Sequence, residues 1–311
     1  FLSTNYLIQP LEGLNLHYGS GFHLLSIPAD YILNLFFNLD HVSLETKPIL
    51  LKHPSVFIFF VFLSIFFRKI IFFITNNKNY SSLSTVLYLT YPYLLGHSFF
   101  NIKDIPFLSI WLICTFYIIK IAKQFYKERK IKNKYFLILG ILSAYLLSIR
   151  VTGVLIFIEY LIFFIVYFET SKKSVLKFIK LYKLNFIYFA LLSIFFIFAM
   201  NPIFWHNPLE IFNSVKWMSK YQQDICTLTL GDCMKSLNLP SSYYFIWLFF
   251  KLPILIIFGL LIFPIVEKKF LDNNLNKIFI YSLLITIVSI LILFIFFNVA
   301  VYDEIRHLMF L

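Results

Sequence analysis

The chain repeatedly runs for about twenty residues with almost no charge. The clearest run, Ser55–Ile74, carries only Arg68 and Lys69 and is otherwise Phe, Ile, Leu, Val and Ser. A bilayer core about 30 Å thick needs about 20 such residues in one helix. Inside lipid, a chain must also satisfy its backbone polar groups internally, which helices do. About eight segments fit: Ser55–Ile74, Ser82–His97, Ile105–Ala122, Lys134–Arg150, Val151–Phe168, Leu184–Met200, Tyr243–Val266 and Ile278–Asn298. Composition agrees. Charged residues make up 14%, against about 25% in an ordinary soluble domain. The expected fold is an all-α, polytopic membrane helical bundle of about eight spans.

The net charge of +12 does not point to nucleic acid, because the cations sit in short runs between apolar segments. Most of the 27 Lys and Arg residues fall in four loops. These hold Arg68 to Lys78, Lys120 to Lys134, Lys172 to Lys183, and Lys268 to Lys277. Loops rich in Lys and Arg stay on the cytoplasmic side. Residues 1–54, 98–104, 201–242 and 299–311 are then expected outside. Lys134 to Phe168 leaves no loop between two spans, so the tip Arg150-Val151-Thr152-Gly153 belongs at the outer surface. A single tilted helix is the alternative, and the basic loops on both flanks argue against it.

Two segments differ from the spans. Ser26–Leu39 has a capping Ser26, Pro28 in a first turn, and Asp30, Asn34 and Asn38 four residues apart. It reads as an interfacial helix on the outer face. Residues 201–242 form a lid-like outer loop that is too short for a large core of its own. Within it, Cys226 and Cys233 are spaced for a small loop disulfide in an oxidising compartment, or else remain thiols. With Cys114 in a span, no zinc-like set exists.

Arginine stands at only four positions, Arg68, Arg129, Arg150 and Arg306, in a chain whose other cations are Lys. Two of the four fall on the expected outer face. A planar guanidinium captures phosphate through paired hydrogen bonds, as Lys does not. The plainer reading of Arg150 is snorkelling to headgroups. Asp104 opens a helix two residues before Pro106, so helix capping is its plainer role. Its functional role would be to orient a sugar hydroxyl or a metal at the membrane boundary. Lys103, His97 and Asn101 share its loop. Arg306-His307 follows the last span, where Asp303 or Glu304 could pair with Arg306. Asn201-Pro202 to Asn207-Pro208 reads as a sharp exit from the membrane, anchored by Trp205. Lys251 and Glu159 are the main charges inside spans.

Several motifs occur in order: Tyr18-Gly19, Tyr91-Pro92, Gly96-His97-Ser98, Asn101-Ile102-Lys103-Asp104-Ile105-Pro106 and Arg150-Val151-Thr152-Gly153. They are followed by Asn201-Pro202 to Asn207-Pro208, Tyr243-Tyr244 to Pro253, and Arg306-His307. Together they resemble the bacterial polytopic glycosyltransferases of the GT-C class, family 39-like, related to protein O-mannosyltransferases and lipid A aminoarabinose transferases. The resemblance implies a single GT-C-like transmembrane domain over 1–311, incomplete at both ends, with an outer first loop at 1–54. It implies inverting transfer from a polyprenyl-phosphate-linked sugar to a glycan, lipid or protein acceptor. The site would face the periplasm or exterior of a bacterial inner membrane. Asp104 matches the family's second outer-loop carboxylate and is the catalytic candidate. Arg150 and Arg306, with Lys103 and His307, would bind the donor phosphate; His97 and Asn101 are accessory. The family's main acid belongs to the first outer loop. No Asp-Glu pair stands before Tyr18, so that acid is expected to precede Phe1, with Glu12 a weak substitute. No cofactor is required, and a divalent metal is allowed but not indicated by spacing. A transporter or flippase of lipid-linked sugars is the competing reading, and a membrane scaffold without catalysis is the third. The enzyme reading expects Asp104, Arg150 and Arg306 to share one cavity beneath the Ser26–Leu39 helix.

Overall fold

A computed structural model describes residues 21–37, 42–43, 46–127, 130–219, 224–270, 273–299, 301 and 304–311. Glu12, Tyr18, Gly19, Asn38, Arg129, Tyr302 and Asp303 lie outside the described residues, as does the side chain of His206. Of what is described, 80% is helical. The described residues include five helices long and apolar enough to cross a membrane, or six if one bent pair counts as a span. The chain is an integral membrane protein with an all-α bundle.

The helix order follows the apolar runs. Helix α1 spans Gly21–Phe37, α2 Thr46–Thr75, α3 Lys78–Thr90, α4 Pro92–Ser98 and α5 Asp104–Tyr126. Helix α6 spans Asn133–Ile149, and a 3-10 turn, Val151–Leu155, leads into α7 at Ile156–Ser171. Helix α8 spans Val175–Met200, followed by the short α9 (Ile203–His206) and α10 (Glu210–Ser219). Helices α11 (Ser242–Lys251), α12 (Ile254–Phe270) and α13 (Asn274–Phe296) complete the order. Helix α5 is the hub: 72% of its apolar window is buried, against 11% in α8. It packs against α2, α6 and α7, while α6 pairs with α8 and α7 with α13. The outer helices expose Leu184, Leu191, Phe195 and Phe258, an apolar surface that suits lipid rather than water.

Two expected spans are not straight helices. Ser82–His97 divides at Tyr91, which is extended (φ −61°, ψ 113°) before Pro92. Tyr243–Val266 divides at Leu252, extended before Pro253, and its halves bend by 108°. Both breaks have one cause: the proline ring excludes helical geometry from the residue before it. Helix α3, with 13 residues, and α6, with 17, are shorter than the other spans.

The N-terminal helix departs further from expectation. It begins at Gly21, and both Ser26 and Pro28 lie inside it, so Ser26 does not cap. Gly21 adopts a positive φ of 47°, and its carbonyl accepts from the Tyr145 hydroxyl at 3.0 Å. Asp30 of the polar stripe turns inward. Asp30 is buried, accepts from Ser26 and Ser55 at 3.0 Å each, and pairs with Lys52 of α2. The exposed face carries Tyr31, Ile32, Leu35 and Phe36. An ammonium two turns into α2 offers the carboxylate a direct charge partner, which a water-facing stripe would lack.

The 201–242 segment is not wholly helical among its described residues. Strands β1 (Cys226–Thr229) and β2 (Asp232–Lys235) form an antiparallel hairpin, and a Cys226–Cys233 disulfide joins them. Trp247 of α11 donates to Thr229 Oγ1 at 3.1 Å, which docks the hairpin on the bundle. The tail after α13 folds back. Tyr244 donates to the Val299 carbonyl at 2.9 Å and Tyr243 to that of Glu304 at 3.0 Å. Phe310 then packs against Phe107 and Trp111 of α5, with ring centroids 5.1 and 4.4 Å apart. This return carries Arg306 to the first turn of α5.

The bundle has two chemically distinct ends. About 35 Å of helix separates Asp104 from Tyr126 at 1.5 Å per residue. At the Tyr126 end, Lys173 donates to the Phe125 and Tyr126 carbonyls at 3.1 and 3.4 Å. The Ile131 N–H donates to the Tyr182 hydroxyl at 3.1 Å. Two of the lysine-rich loops therefore meet there, while the Asp104 end carries Arg150 and Arg306.

Candidate functional site

Asp104 is the first residue of α5 and is buried. It does not cap the helix. The Asn101 side-chain oxygen accepts from the Asp104 and Lys103 N–H groups, at 2.8 and 3.2 Å. The carboxylate is thereby left to side chains. Arg150 Nη1 lies 2.8 Å from Asp104 Oδ1, and Arg306 Nε lies 3.6 Å from Oδ2. Asn101 Nδ2 donates to Oδ2 at 2.8 Å and also lies 3.2 Å from His97 Nδ1. One carboxylate therefore sits between two guanidinium groups that lie far apart in the sequence.

Local structure explains each placement. Arg150 is extended (φ −149°, ψ 141°) between α6 and the 3-10 turn, so its side chain projects where the backbone reverses. The turn closes tightly because Gly153 lies against the last turn of α6. Arg306 opens a short 3-10 helix in the returning tail.

These groups line a cavity of about 290 Å³ with Phe100, Asn101, Ile102 and Lys103. That is near the lower end of the size range of small-ligand sites, about 300 Å³. Three cations and one carboxylate face it, so the cavity stays net positive after the Asp104 pairing is counted. Burial, then Arg150, lower the Lys103 pKa, with Asp104 opposing them. Burial, reinforced by Arg150 and Arg306, drives the His307 imidazole well below its usual pKa. His307 is thus a neutral neighbour of the arginines rather than a third cation. Helix α1 contributes nothing to the lining.

The His307 shift has a measurable consequence. An imidazole that charges at ordinary pH when unfolded, but resists charging when folded, stabilises the fold above its unfolded pKa of about 6.5. That contribution is lost as pH falls below this value toward the depressed folded pKa. His307→Gln is expected to flatten the fall in melting temperature between pH 6.5 and 5. An unchanged slope would show that His307 is accessible to protons in the fold.

Of the expected site residues, Asp104, Arg150, Arg306, Lys103 and Asn101 meet at one cavity, and His97 joins through Asn101. Glu12 lies outside the described residues. Glu304 does not pair with Arg306. Its carboxylate meets Lys251 Nζ at 2.6 Å, because the tail delivers Glu304 to the end of α11. Lys251 does not run free to the headgroups either: its ammonium lies 5.0 Å from the Tyr93 ring and 5.2 Å from the Trp247 ring. Sequence reading missed this aromatic cage. Its signal was the presence of Tyr93 and Trp247 in segments that meet at one end. Among the described residues no three His, Cys, Asp or Glu side chains gather to hold a metal ion.

No protein-family model, no curated protein and no solved structure matches the chain.

Proposed function

We propose that this protein is a membrane glycosyltransferase of the GT-C kind. It moves a sugar from a polyprenyl-phosphate donor to a glycan, lipid or protein acceptor at the outer face of a bacterial inner membrane. The observation that carries the reading is Asp104 held between Arg150 and Arg306 at the end of the bundle away from the basic loops. A donor of this class has an apolar tail and an anionic phosphate, so its site must lie where lipid meets water and must present cations. In this reading the bent and shortened helices complete about eight crossings, and the positive-inside asymmetry sets the orientation.

The donor phosphate takes the two guanidinium groups and thereby frees the Asp104 carboxylate. The carboxylate accepts the proton of the acceptor hydroxyl as its oxygen bonds to the anomeric carbon. The bond from that carbon to the phosphate oxygen breaks, and the polyprenyl phosphate leaves with the electron pair. The guanidinium groups stabilise the charge that develops on it.

The test uses the purified chain in liposomes with a mixture of polyprenyl-phosphate sugars labelled in the sugar. Label should leave the prenyl lipid and appear on an acceptor. Arg150→Gln and Arg306→Gln should each slow transfer about 100-fold, the usual scale for removing one group that stabilises the departing charge. Intact donor recovered from wild type and variants alike would defeat the proposal. One observation favours the competing transporter reading: Glu159 is buried in α7 and accepts from Thr115 at 2.7 Å. Ionisable groups inside a span commonly mark a transport path. If label crosses the bilayer with its lipid unchanged, and Glu159→Gln stops it, transport is the function.

A further inference from the structure

Two motifs that the glycosyltransferase reading does not use, Tyr91-Pro92-Tyr93 and the Lys251-Leu252-Pro253 end of α11, converge on Lys251. The Tyr91 hydroxyl donates to the Lys251 carbonyl. The Tyr93 ring lies 5.0 Å from the Lys251 ammonium, and the Trp247 ring lies 5.2 Å from it. Two proline breaks create this meeting. Pro92 keeps Tyr91 extended between α3 and α4, and Pro253 keeps Leu252 extended, so that α11 ends at Lys251. The backbone and the ammonium of Lys251 are thus both held by aromatic side chains.

The group that Lys251 meets is the Glu304 carboxylate, at 2.6 Å. With side chains 24% and 29% exposed, the pair is more sheltered than a surface ion pair, whose worth is small. Glu304 has a φ of 67°, in the left-handed region. A residue with a Cβ stays there only where its surroundings hold it. Helix α11 supplies the hold at both ends of the residue. Lys251 takes the carboxylate, and Tyr243 donates to the carbonyl at 3.0 Å. Arg306 follows two residues on. Its contact with Asp104 is the longer of the two guanidinium contacts, 3.6 Å against 2.8 Å for Arg150. Asp104 therefore fixes Arg306 less firmly than Arg150, and the turn at Glu304 sets where the Arg306 backbone lies.

We propose that Lys251 is a positioning residue of the arginine site: by gripping Glu304 it keeps the returning tail in the turn that aims Arg306 at Asp104 and at the donor phosphate. The inference rests on the glycosyltransferase reading for the identity of the ligand, but the clamp acts on any phosphate held there. Its sign separates it from a field effect. If Lys251 acted only as a nearby cation, removing it would weaken phosphate binding, and removing the Glu304 charge would strengthen it. A clamp fails when either partner is lost, so both changes weaken binding.

Calorimetry of inorganic phosphate binding to the purified full chain tests the clamp. Lys251→Met keeps a long apolar side chain between the rings, and Glu304→Gln keeps the side-chain shape. Each should weaken phosphate binding about tenfold, mid-range for groups coupled through one contact. The double variant should lose no more than either single one. Lys251→Arg should restore binding, because Arg keeps the charge and also packs on aromatic faces. In an Arg306→Gln background Lys251→Met should add nothing, since the side chain it positions is gone. Ser193→Ala controls for stability: it removes a hydrogen bond to the Gly140 carbonyl, between α8 and α6, and should lower the melting temperature while sparing phosphate affinity. Tighter phosphate binding by Glu304→Gln would overturn the clamp. So would an undiminished loss from Lys251→Met when Arg306 is already replaced, or an equal loss in Ser193→Ala. The liposome assay keeps the two proposals apart. The expected phosphate pattern in a chain that transfers no sugar supports the clamp and defeats only the transferase reading.

Discussion

Asp104→Asn should bind inorganic phosphate about tenfold more tightly than the wild type while losing sugar transfer. The expectation follows from occupancy. In the empty site both guanidinium groups already have an anion, because Asp104 reaches Arg150 at 2.8 Å and Arg306 at 3.6 Å. An arriving phosphate must displace that carboxylate before the arginines can hold it. Asparagine keeps the side-chain shape and an oxygen that can accept from Arg150, but it removes the competing charge. The same change destabilises the empty protein by about 3 kcal/mol, because it removes one partner of the buried Asp104–Arg150 ion pair. The two effects are linked. A ligand that binds only the folded state raises its stability in proportion to the logarithm of one plus the ratio of its concentration to its dissociation constant. Added phosphate should therefore raise the melting temperature of Asp104→Asn more than that of wild type. Calorimetry for affinity, thermal unfolding with and without phosphate, and the liposome assay read the three arms separately. Weaker phosphate binding in the variant would mean that Asp104 organises the arginines rather than competing for them. Unaltered transfer would remove Asp104 from the chemistry.

The sequence makes some of this plain and hides the rest for physical reasons. Hydropathy finds the long helices because burial in lipid requires continuous apolar composition, a property each segment carries within itself. It overlooks Tyr91-Pro92 and Leu252-Pro253, since an average over a window counts a proline as one weakly apolar residue and misses its steric effect on the residue before it. The local meaning of a polar residue is harder still. Asp30 looks like part of a water-facing stripe until Lys52 is found 22 residues away. Glu304 looks like a partner for Arg306, two residues on, yet it reaches Lys251 across the fold. The arginines were informative for the opposite reason. In a chain that uses Lys as its usual cation, Arg150 and Arg306 stand out by type, and the structure places them on one carboxylate. Nothing in their spacing indicates that the tail after α13 folds back over α5. That return depends on Phe310 finding Phe107 and Trp111, a contact with no local signature.

Gly153 is the position where packing and site are most tightly coupled, and Gly153→Ala should harm both. A Cβ there would meet the Leu146 carbonyl carbon at 2.6 Å, the Leu147 nitrogen at 2.7 Å and the Leu146 oxygen at 2.8 Å. All three atoms belong to the backbone of the last turn of α6, so no rotamer change can relieve the overlap. The 3-10 turn has to lift off α6. Arg150 moves with it, because the Gly153 N–H donates to the Arg150 carbonyl at 2.8 Å. Overpacking of this kind costs about 3 kcal/mol at the upper end of its usual range. A shift of about 1 Å at a charge-binding group can cost on the order of 100-fold in rate. The expected result is a lower melting temperature together with a loss of phosphate affinity of at least about tenfold. Gly259→Ala is the control: a Cβ there meets nothing within 4 Å, and alanine is the better helix former by about 1 kcal/mol. It should leave phosphate binding intact and hold or raise the melting temperature. If Gly153→Ala lowers stability but spares phosphate binding, the turn and the arginine site are mechanically independent, and Arg150 owes its position to Asp104 alone.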